Sequence, residues 1–370
     1  MPFINNAELR EIIDNSQRPA LVEPSYKRKY IPLGLAKIAG RFRENNIPVV
    51  FSRSIDFRHE NPDVVFITSV FTHDSRIVDL EIKRSLNKYP DAKIVVGGVY
   101  ASLEAKKILG FSERVSLFHG YSKWLDSIKP DYSINWYVKK PWDNFSYLFT
   151  TRGCKNKCSY CAVKDIEPGS WINPKWKELI ERTKMNVMVY DNNLTSMDRG
   201  HYLEVFDYLA ASGKRVIFDN GFDCKHITPE VAHKLSRIKY HSTGIRIAFD
   251  RISDDGVFQR AVKMLLDAGV SKNSIMAYVL FNFKDKPQEA HYRMCECAKL
   301  GIKPYPQKYE PLTGGNMTKK HVGKHWTPAL STAFRSYWFH IGNFNKYTFE
   351  EWAGENKKLR AADWGKWNVV

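Results

Sequence analysis

No cysteine occurs in residues 1–153 of this 370-residue chain, and only six occur in all. So few thiols cannot staple a chain of this size, and their scarcity fits a reducing compartment rather than a disulfide-built secreted protein. Long apolar runs are missing too. No stretch approaches the ~20 residues that a membrane-spanning helix needs, and the N-terminus lacks the apolar core of a secretion signal. A cytoplasmic location is the expectation. Acidic residues are in deficit, 40 Asp+Glu against 57 Lys+Arg, which leaves a net charge of +17. That excess points to a polyanionic partner, with solubility as the competing explanation.

A chain of 370 residues exceeds what one core organises easily, so two domains are expected. From about Pro19 to Ser122 short β-branched runs alternate with helical stretches. Ala20–Pro24, Pro48–Ser52, Asp63–Ser69, Ala92–Gly98 and Val115–His119 read as buried parallel strands. Tyr30–Asn45, Asp74–Lys88 and Ala101–Leu109 read as helices. This alternation describes a doubly wound α/β sheet. The pair Gly97-Gly98 suits a close strand-to-helix turn better than a phosphate cradle, for which a lone Gly-Gly is weak evidence.

The densest chemistry lies in Phe149-Thr-Thr-Arg-Gly-Cys154-Lys-Asn-Lys-Cys158-Ser-Tyr-Cys161. Three thiols at x3 and x2 spacing follow a strand-like run, with Gly153 allowing the chain to turn. Such a triad can ligate three irons of a four-iron cubane and leave the fourth open to a small molecule. Zinc with a distant fourth ligand and three buried free thiols are the alternatives. Cys224, Cys295 and Cys297 remain. The last two, two apart on a helix, point about 200° apart, so core packing suits them better than a second metal.

After the triad, strand and helix alternate to about residue 312. Asn186–Tyr190, Arg215–Asp219, Gly244–Asp250, Ser274–Phe281 and Lys303–Tyr309 follow the first strand, Ser146–Thr151. Helices are expected over Pro174–Thr183, Arg199–Ala211, Pro229–Ile238, Val257–Ala268 and Gln288–Leu300. The strands end in polar residues: Asp191, Asn192 and Asn193; Asp219, Asn220 and Asp223; Asp250; Asn282; Tyr309. In βα architectures functional groups gather at these carboxyl ends, although turn chemistry accounts for part of such a set. From Lys319 onward the period disappears, and nine basic residues face four acidic ones among interleaved aromatics, including Trp326, Tyr337, Trp338, Trp352, Trp364 and Trp367. Basic and aromatic side chains together suit single-stranded nucleic acid. Burial of the same aromatics as core is the other possibility.

The cysteine triad, with Tyr160 before its last member, resembles the signature of the radical S-adenosylmethionine (SAM) superfamily. The Ile31-Pro-Leu-Gly-Leu-Ala and Gly97-Gly98-Val-Tyr-Ala-Ser segments resemble the cobalamin-binding-type domain that precedes the barrel in one branch of it. The resemblance implies an N-terminal Rossmann-like doubly wound domain (1–140), a partial (βα)6 barrel (141–315) and a C-terminal extension (316–370). It implies a 4Fe-4S cluster on Cys154, Cys158 and Cys161, reductive cleavage of SAM, and an electron donor such as flavodoxin or ferredoxin. Matched to the family's pattern, Asp191, Asn192 and Asn193 would hold the methionine amine of SAM, although the family's glycines are missing there. Asp219 or Asp223 would serve the ribose hydroxyls, and the strand around Met276, Tyr278 and Leu280 the adenine. Arg246 would pair with Asp219, Asp250 or the SAM carboxylate. No Asp-x-His-x-x-Gly loop exists, and Asp56-Phe57-Arg58-His59 has the wrong spacing. That counts against cobalamin, although some relatives bind it without the histidine. The absence of cysteine before Cys154 disfavours a methylthiotransferase, whose N-terminal domain carries a second cluster. A nucleic-acid substrate is weakly favoured over a peptide or small metabolite. A zinc- or cluster-bearing nucleic-acid-binding module without catalysis is the non-enzyme rival.

Overall fold

The computed structural model describes residues 3–55, 60–340, 342 and 344–368. The segment Asp56-Phe57-Arg58-His59 lies outside the described residues. The fold is mixed α/β with parallel sheets, and the chain divides into two compact units. One comprises Met1–Gly153, Cys161–Val187 and Pro311–Lys319; the other comprises Cys154–Tyr160, Met188–Glu310 and Lys320–Val370. No helix among the described residues is long and apolar enough to cross a membrane.

The first unit is built on six parallel strands: β1 (Phe3–Ile4), β2 (Pro19–Val22), β3 (Val50–Ser52), β4 (Val64–Ser69), β5 (Lys93–Gly98) and β6 (Val115–Phe118). Their spatial order is β1-β6-β5-β4-β2-β3. Helices α1 (Asn6–Asn15), α2 (Leu33–Glu44), α3 (Ser75–Lys88), α4 (Val99–Leu103) and α5 (Ala105–Leu109) connect them, and α6 (Lys123–Asp126) follows β6. The continuous apolar runs of β4 and β5 are what a sheet covered on both faces requires. On one face Val65, Ile67, Ile94 and Val96 pack against Val78 and Ile82 of α3, Tyr100 of α4 and Ile108 of α5. On the other, Phe42 of α2 meets Phe66 with ring centroids 6.1 Å apart.

Composition gave no hint of β1 and α1, yet α1 is well specified. Asn5 Oδ1 accepts from the amides of Ala7 and Glu8, while Glu8 returns a bond to the Asn5 amide at 2.7 Å, a reciprocal cap that satisfies orphan donors of the first turn. The helix expected over Ala101–Leu109 is two short ones that break at Glu104.

Gly98 explains the turn after β5. Its φ is +105°, and a Cβ there would lie 1.9 Å from the Ser69 carbonyl oxygen. Ser69 Oγ also donates to the Gly97 carbonyl and accepts from the Ala101 amide. The glycine pair makes a close strand–helix turn.

The strand expected at Ser146–Thr151 is divided. β7 (Phe145–Leu148) ends, and β8 (Thr151–Gly153) pairs antiparallel with β9 (Ser170–Ile172), placing Arg152 opposite Trp171. The short helix α7 (Val163–Ile166) lies between β8 and β9. No helix forms over Pro174–Thr183. Its amides bond three residues back, as from Glu178 to Lys175 and Leu179 to Trp176. The side chain of buried Asn173 donates to the carbonyl of Asp126 and holds the stretch as turns.

The second unit continues the alternation: β10 (Asn186–Val189), α8 (Arg199–Ala211), β11 (Arg215–Phe218), β12 (Phe222–Asp223), α9 (Pro229–Ser236), β13 (Ile245–Ala248), α10 (Val257–Asp267), β14 (Ile275–Phe281), α11 (Pro287–Lys299) and β15 (Lys303–Lys308). β10 begins at the unit boundary, with Met188 and Val189 in this unit. Strands β12 to β15 form one parallel sheet in chain order. Asp198 caps α8, and Thr228 with Pro229 at the first position starts α9, the entry chemistry those residue types supply.

The C-terminal helices α12 (Pro328–Phe339), α13 (Phe349–Asn356) and α14 (Ala361–Trp367) follow. Trp326, Tyr337, Trp338, Trp352 and Trp367 are buried. His291 of α11 lies among them, 5.3 Å from Trp338 and 5.2 Å from Trp367. These aromatic faces are core, which removes most of them as stacking platforms for bases.

Candidate active site

The cysteine loop begins at a tightly fixed point. Gly153 has φ +84°, and a Cβ on it would sit 1.9 Å from the Gly169 carbonyl oxygen. No other residue fits there. Glu167 accepts from the Gly153 amide at 2.8 Å and from Arg152 at 2.7 Å. Arg152 also grips Asp126, which is paired with buried Lys37. The Arg152 guanidinium lies 3.3 Å from the Phe149 ring centroid, where cation–π attraction adds to the ion pairs. Burial works against the Asp126 charge, but Arg152 and Lys37 hold its carboxyl below the usual range.

Cys154, Cys158 and Cys161 are in no disulfide, and each is half-buried. The Asn156 amide points at Cys154 Sγ at 3.4 Å, the kind of N–H donor that stabilises a metal-bound thiolate. As a donor set they fit an iron–sulfur cluster. Among the described residues no group of three His, Cys, Asp or Glu side chains is arranged to hold a metal ion. The other cysteines differ. Burial pushes Cys224 up to about 12 and Cys295 up to about 11, and raises Cys297 as well. Thiols held protonated in this way behave as packing groups.

The strand ends carry three separate polar groupings. Asp219, after β11, accepts from Arg246 through its carbonyl at 2.7 Å and through its carboxylate. Arg246 also donates to the Tyr278 hydroxyl at 2.6 Å, which donates to the Asp219 carbonyl at 3.0 Å. Asp219, Arg246 and Tyr278 therefore form one unit across β11, β13 and β14. Asp250 lies in the second grouping. There the Tyr160 hydroxyl donates to Asp250 Oδ2 at 3.1 Å and the Leu280 amide to Oδ1 at 3.1 Å. Burial raises the Asp250 carboxyl, with Arg293 opposing. Burial, the Asp250 carboxylate and Cys158 raise the Tyr160 hydroxyl, which stays protonated. In the third grouping Asn156 Nδ2 donates to Asp223 Oδ2 at 2.8 Å.

Asp191 and Asn193 are buried just beyond β10, and Ser196 Oγ donates to the Asn193 carbonyl at 2.8 Å. Asn192 is half-buried beside them. Asn220 caps the Tyr190 carbonyl at 2.6 Å. Asn282, named with the strand-end polar set, is fully buried and bonds the backbone of Tyr309, His321 and Gly323. It ties chain segments together. Met276 and Leu280 are buried on β14.

Two residues that matter here escaped sequence reasoning. Asn156 gave a signal, because it stands between two of the cysteines. Arg293 gave none. It is fully buried on α11 and donates to the Phe249 and Leu280 carbonyls at 2.8 and 2.9 Å, supporting the strand ends beside Asp250.

No family model matches the chain, and no curated protein matches it. Among solved structures the chain is similar to methylornithine synthase (PylB), with 10% sequence identity and a TM-score of 0.38. The alignment covers 55% of this chain and 62% of that one.

Proposed function

We propose that this chain is a radical SAM enzyme that acts on a substrate still to be identified. The carrying observation is the triad of cysteines Cys154, Cys158 and Cys161, none of them in a disulfide, in a loop opening at a glycine that no other residue can replace. Polar groups at parallel strand ends support a cofactor site of this kind. The strand order β3-β2-β4-β5-β6, with helices on both faces, supports a Rossmann-like domain of the cobalamin-binding type. The alternation from Phe145 supports a partial (βα)6 barrel.

Cys154, Cys158 and Cys161 would hold a 4Fe-4S cluster, which when bound would supply the one-electron reduction by which SAM yields methionine and a radical able to take a hydrogen atom from a substrate. This chain's residues have narrower tasks. The three cysteines give up their protons to become ligands. Asp191, Asn192 and Asn193 orient the methionine amine. Asp219 meets the ribose, held in place by Arg246 and Tyr278. A small electron-transfer protein of the flavodoxin or ferredoxin class supplies the electron. The nucleic-acid preference rests on the +17 charge, now that most of the tail aromatics are known to be buried.

Anaerobic reconstitution should give a brown protein with about four irons per chain. With dithionite and SAM it should release 5′-deoxyadenosine and methionine. Asp191→Ala should weaken SAM binding and keep the iron. Stoichiometric zinc without iron in anaerobic protein would count decisively against the proposal.

A further inference from the structure

The loop carrying Cys154 and Cys158 has no regular secondary structure, so its conformation depends on side-chain anchors. Two are present, at neighbouring strand ends. Asn156 Nδ2 donates to Asp223 Oδ2 at 2.8 Å, and the Tyr160 hydroxyl donates to Asp250 Oδ2 at 3.1 Å. β12 and β13 are in parallel register, with Asp223 opposite Ala248 and Asp250 two residues beyond it, so the anchors stand at the ends of adjacent strands.

Each carboxylate is fixed from its other oxygen. Asp223 Oδ1 accepts from the Lys225 amide at 3.0 Å, and Asp250 Oδ1 from the Leu280 amide at 3.1 Å. The buried Arg293 guanidinium then ties together the Phe249 and Leu280 carbonyls on either side of that second anchor. The Tyr160 ring also stands edge-on to Phe283, with centroids 5.7 Å apart. A hydrogen bond to a carboxylate is stronger than one between neutral groups. Both loop contacts are of that kind.

We propose that Asn156–Asp223 and Tyr160–Asp250 hold the cysteine loop in position, and that Asp223 and Asp250 are positioning residues for the loop rather than contacts to SAM. This rests on the loop serving the cluster proposed above. It reassigns two carboxylates that the strand-end pattern alone offers to SAM. Asp219 is left as the carboxylate for the ribose.

The loop contains its own reporter, because Lys155 and Lys157 are exposed and flank Asn156. In the full-length, iron-free chain, trypsin should nick at these lysines about tenfold faster in Asn156→Ala and in Tyr160→Phe, the scale expected for losing one charge-assisted hydrogen bond. The thermal midpoint should stay unchanged, which separates loop opening from unfolding. Asp223→Asn keeps one acceptor oxygen but loses the charge and must release either Asn156 or the Lys225 amide, so its nicking rate should fall between those of the parent and Asn156→Ala while its SAM affinity stays within about twofold of the parent. Tyr160→Phe is used because removing buried Asp250 risks unfolding the chain. Unchanged nicking in both Asn156→Ala and Tyr160→Phe would overturn the anchoring. A tenfold loss of SAM affinity in Asp223→Asn would overturn the reassignment. Should the parent bind no iron at all, the cluster proposal fails, and the nicking rates still decide whether the anchors exist.

Discussion

Arg152 and Glu167 form a 2.7 Å ion pair on the residue directly before the glycine that opens the cysteine loop. Through Asp126 the same guanidinium reaches Lys37 of α2. Removing one partner of a buried pair leaves an uncompensated charge. Arg152→Ala is therefore expected to cost about 3–5 kcal/mol in urea unfolding. Lys37→Met should cost less than half as much, because Asp126 keeps Arg152. Equal losses would show that Arg152 is not the hub. Since the folded-state Asp126 carboxyl is depressed, its stabilising contribution is present above the unfolded value of about 3.9 and is lost as pH falls below it.

His291 should make the C-terminal helices sensitive to mild acid. Burial among aromatic rings pushes its imidazole down to about 4, with Glu350 opposing. In the unfolded chain it titrates near 6.5. Between those values the unfolded state binds the extra proton, so stability should fall by about 3 kcal/mol as pH drops from 6.5 to 4. Tryptophan fluorescence of Trp338 and Trp367, next to the imidazole, would follow the change. His291→Phe should flatten the profile over this range, and a profile left intact would assign the effect elsewhere.

The two glycines after β5 should respond very differently to alanine. At Gly98 a Cβ would lie 1.9 Å from the Ser69 carbonyl, whereas at Gly97 the nearest atoms are 4.0 Å away. Gly98→Ala is expected to cost more than about 3 kcal/mol through clash and a positive φ. Gly97→Ala should change the thermal midpoint by no more than a surface substitution does. Equal tolerance of both would contradict the close turn.

Charge rather than stacking should govern any nucleic-acid binding by the tail. Lys358 and Arg360 are exposed, whereas Trp352 and Trp367 are buried. If RNA is a partner, affinity should fall steeply with salt. Reversing both charges to Glu should lower the slope of log K against log salt by about 1.4 or more, at ~0.7 for each single-strand phosphate left without its cation. No salt-dependent RNA binding near physiological ionic strength would favour a peptide or metabolite substrate.

Periodicity carried much of the fold. The bounds of α8 coincide with the expected Arg199–Ala211, because Asp198 caps one end and the helical pattern runs unbroken to the other. It failed where side chains redirected the backbone. Pro174–Thr183 has helical spacing, yet bonds made by Asn173 hold it as turns. The strand-end residues were legible as a set, since Asp and Asn after apolar runs stand out. Their pairing was not, because Arg246 choosing Asp219, and Tyr160 choosing Asp250, depends on strand register and not on spacing in the chain. The tail misled for a related reason: an aromatic residue looks the same in sequence whether its ring faces solvent or His291.

The segment Pro311–Lys319 belongs to the first unit although it follows β15. Within that unit the Gly314 amide donates to Glu104 at 2.6 Å, Lys319 pairs with Asp74 at 3.3 Å, and Thr318 is buried. During synthesis the first 187 residues leave the ribosome more than a hundred residues before the segment that completes their unit. At about 5–20 residues per second that interval lasts about 6 to 25 seconds, during which the Glu104 and Asp74 pairings cannot form. The nascent first unit is thus a species with its own exposed surface and its own exposure to chaperones and proteases. A recombinant fragment ending at residue 187 would be locked permanently in that state.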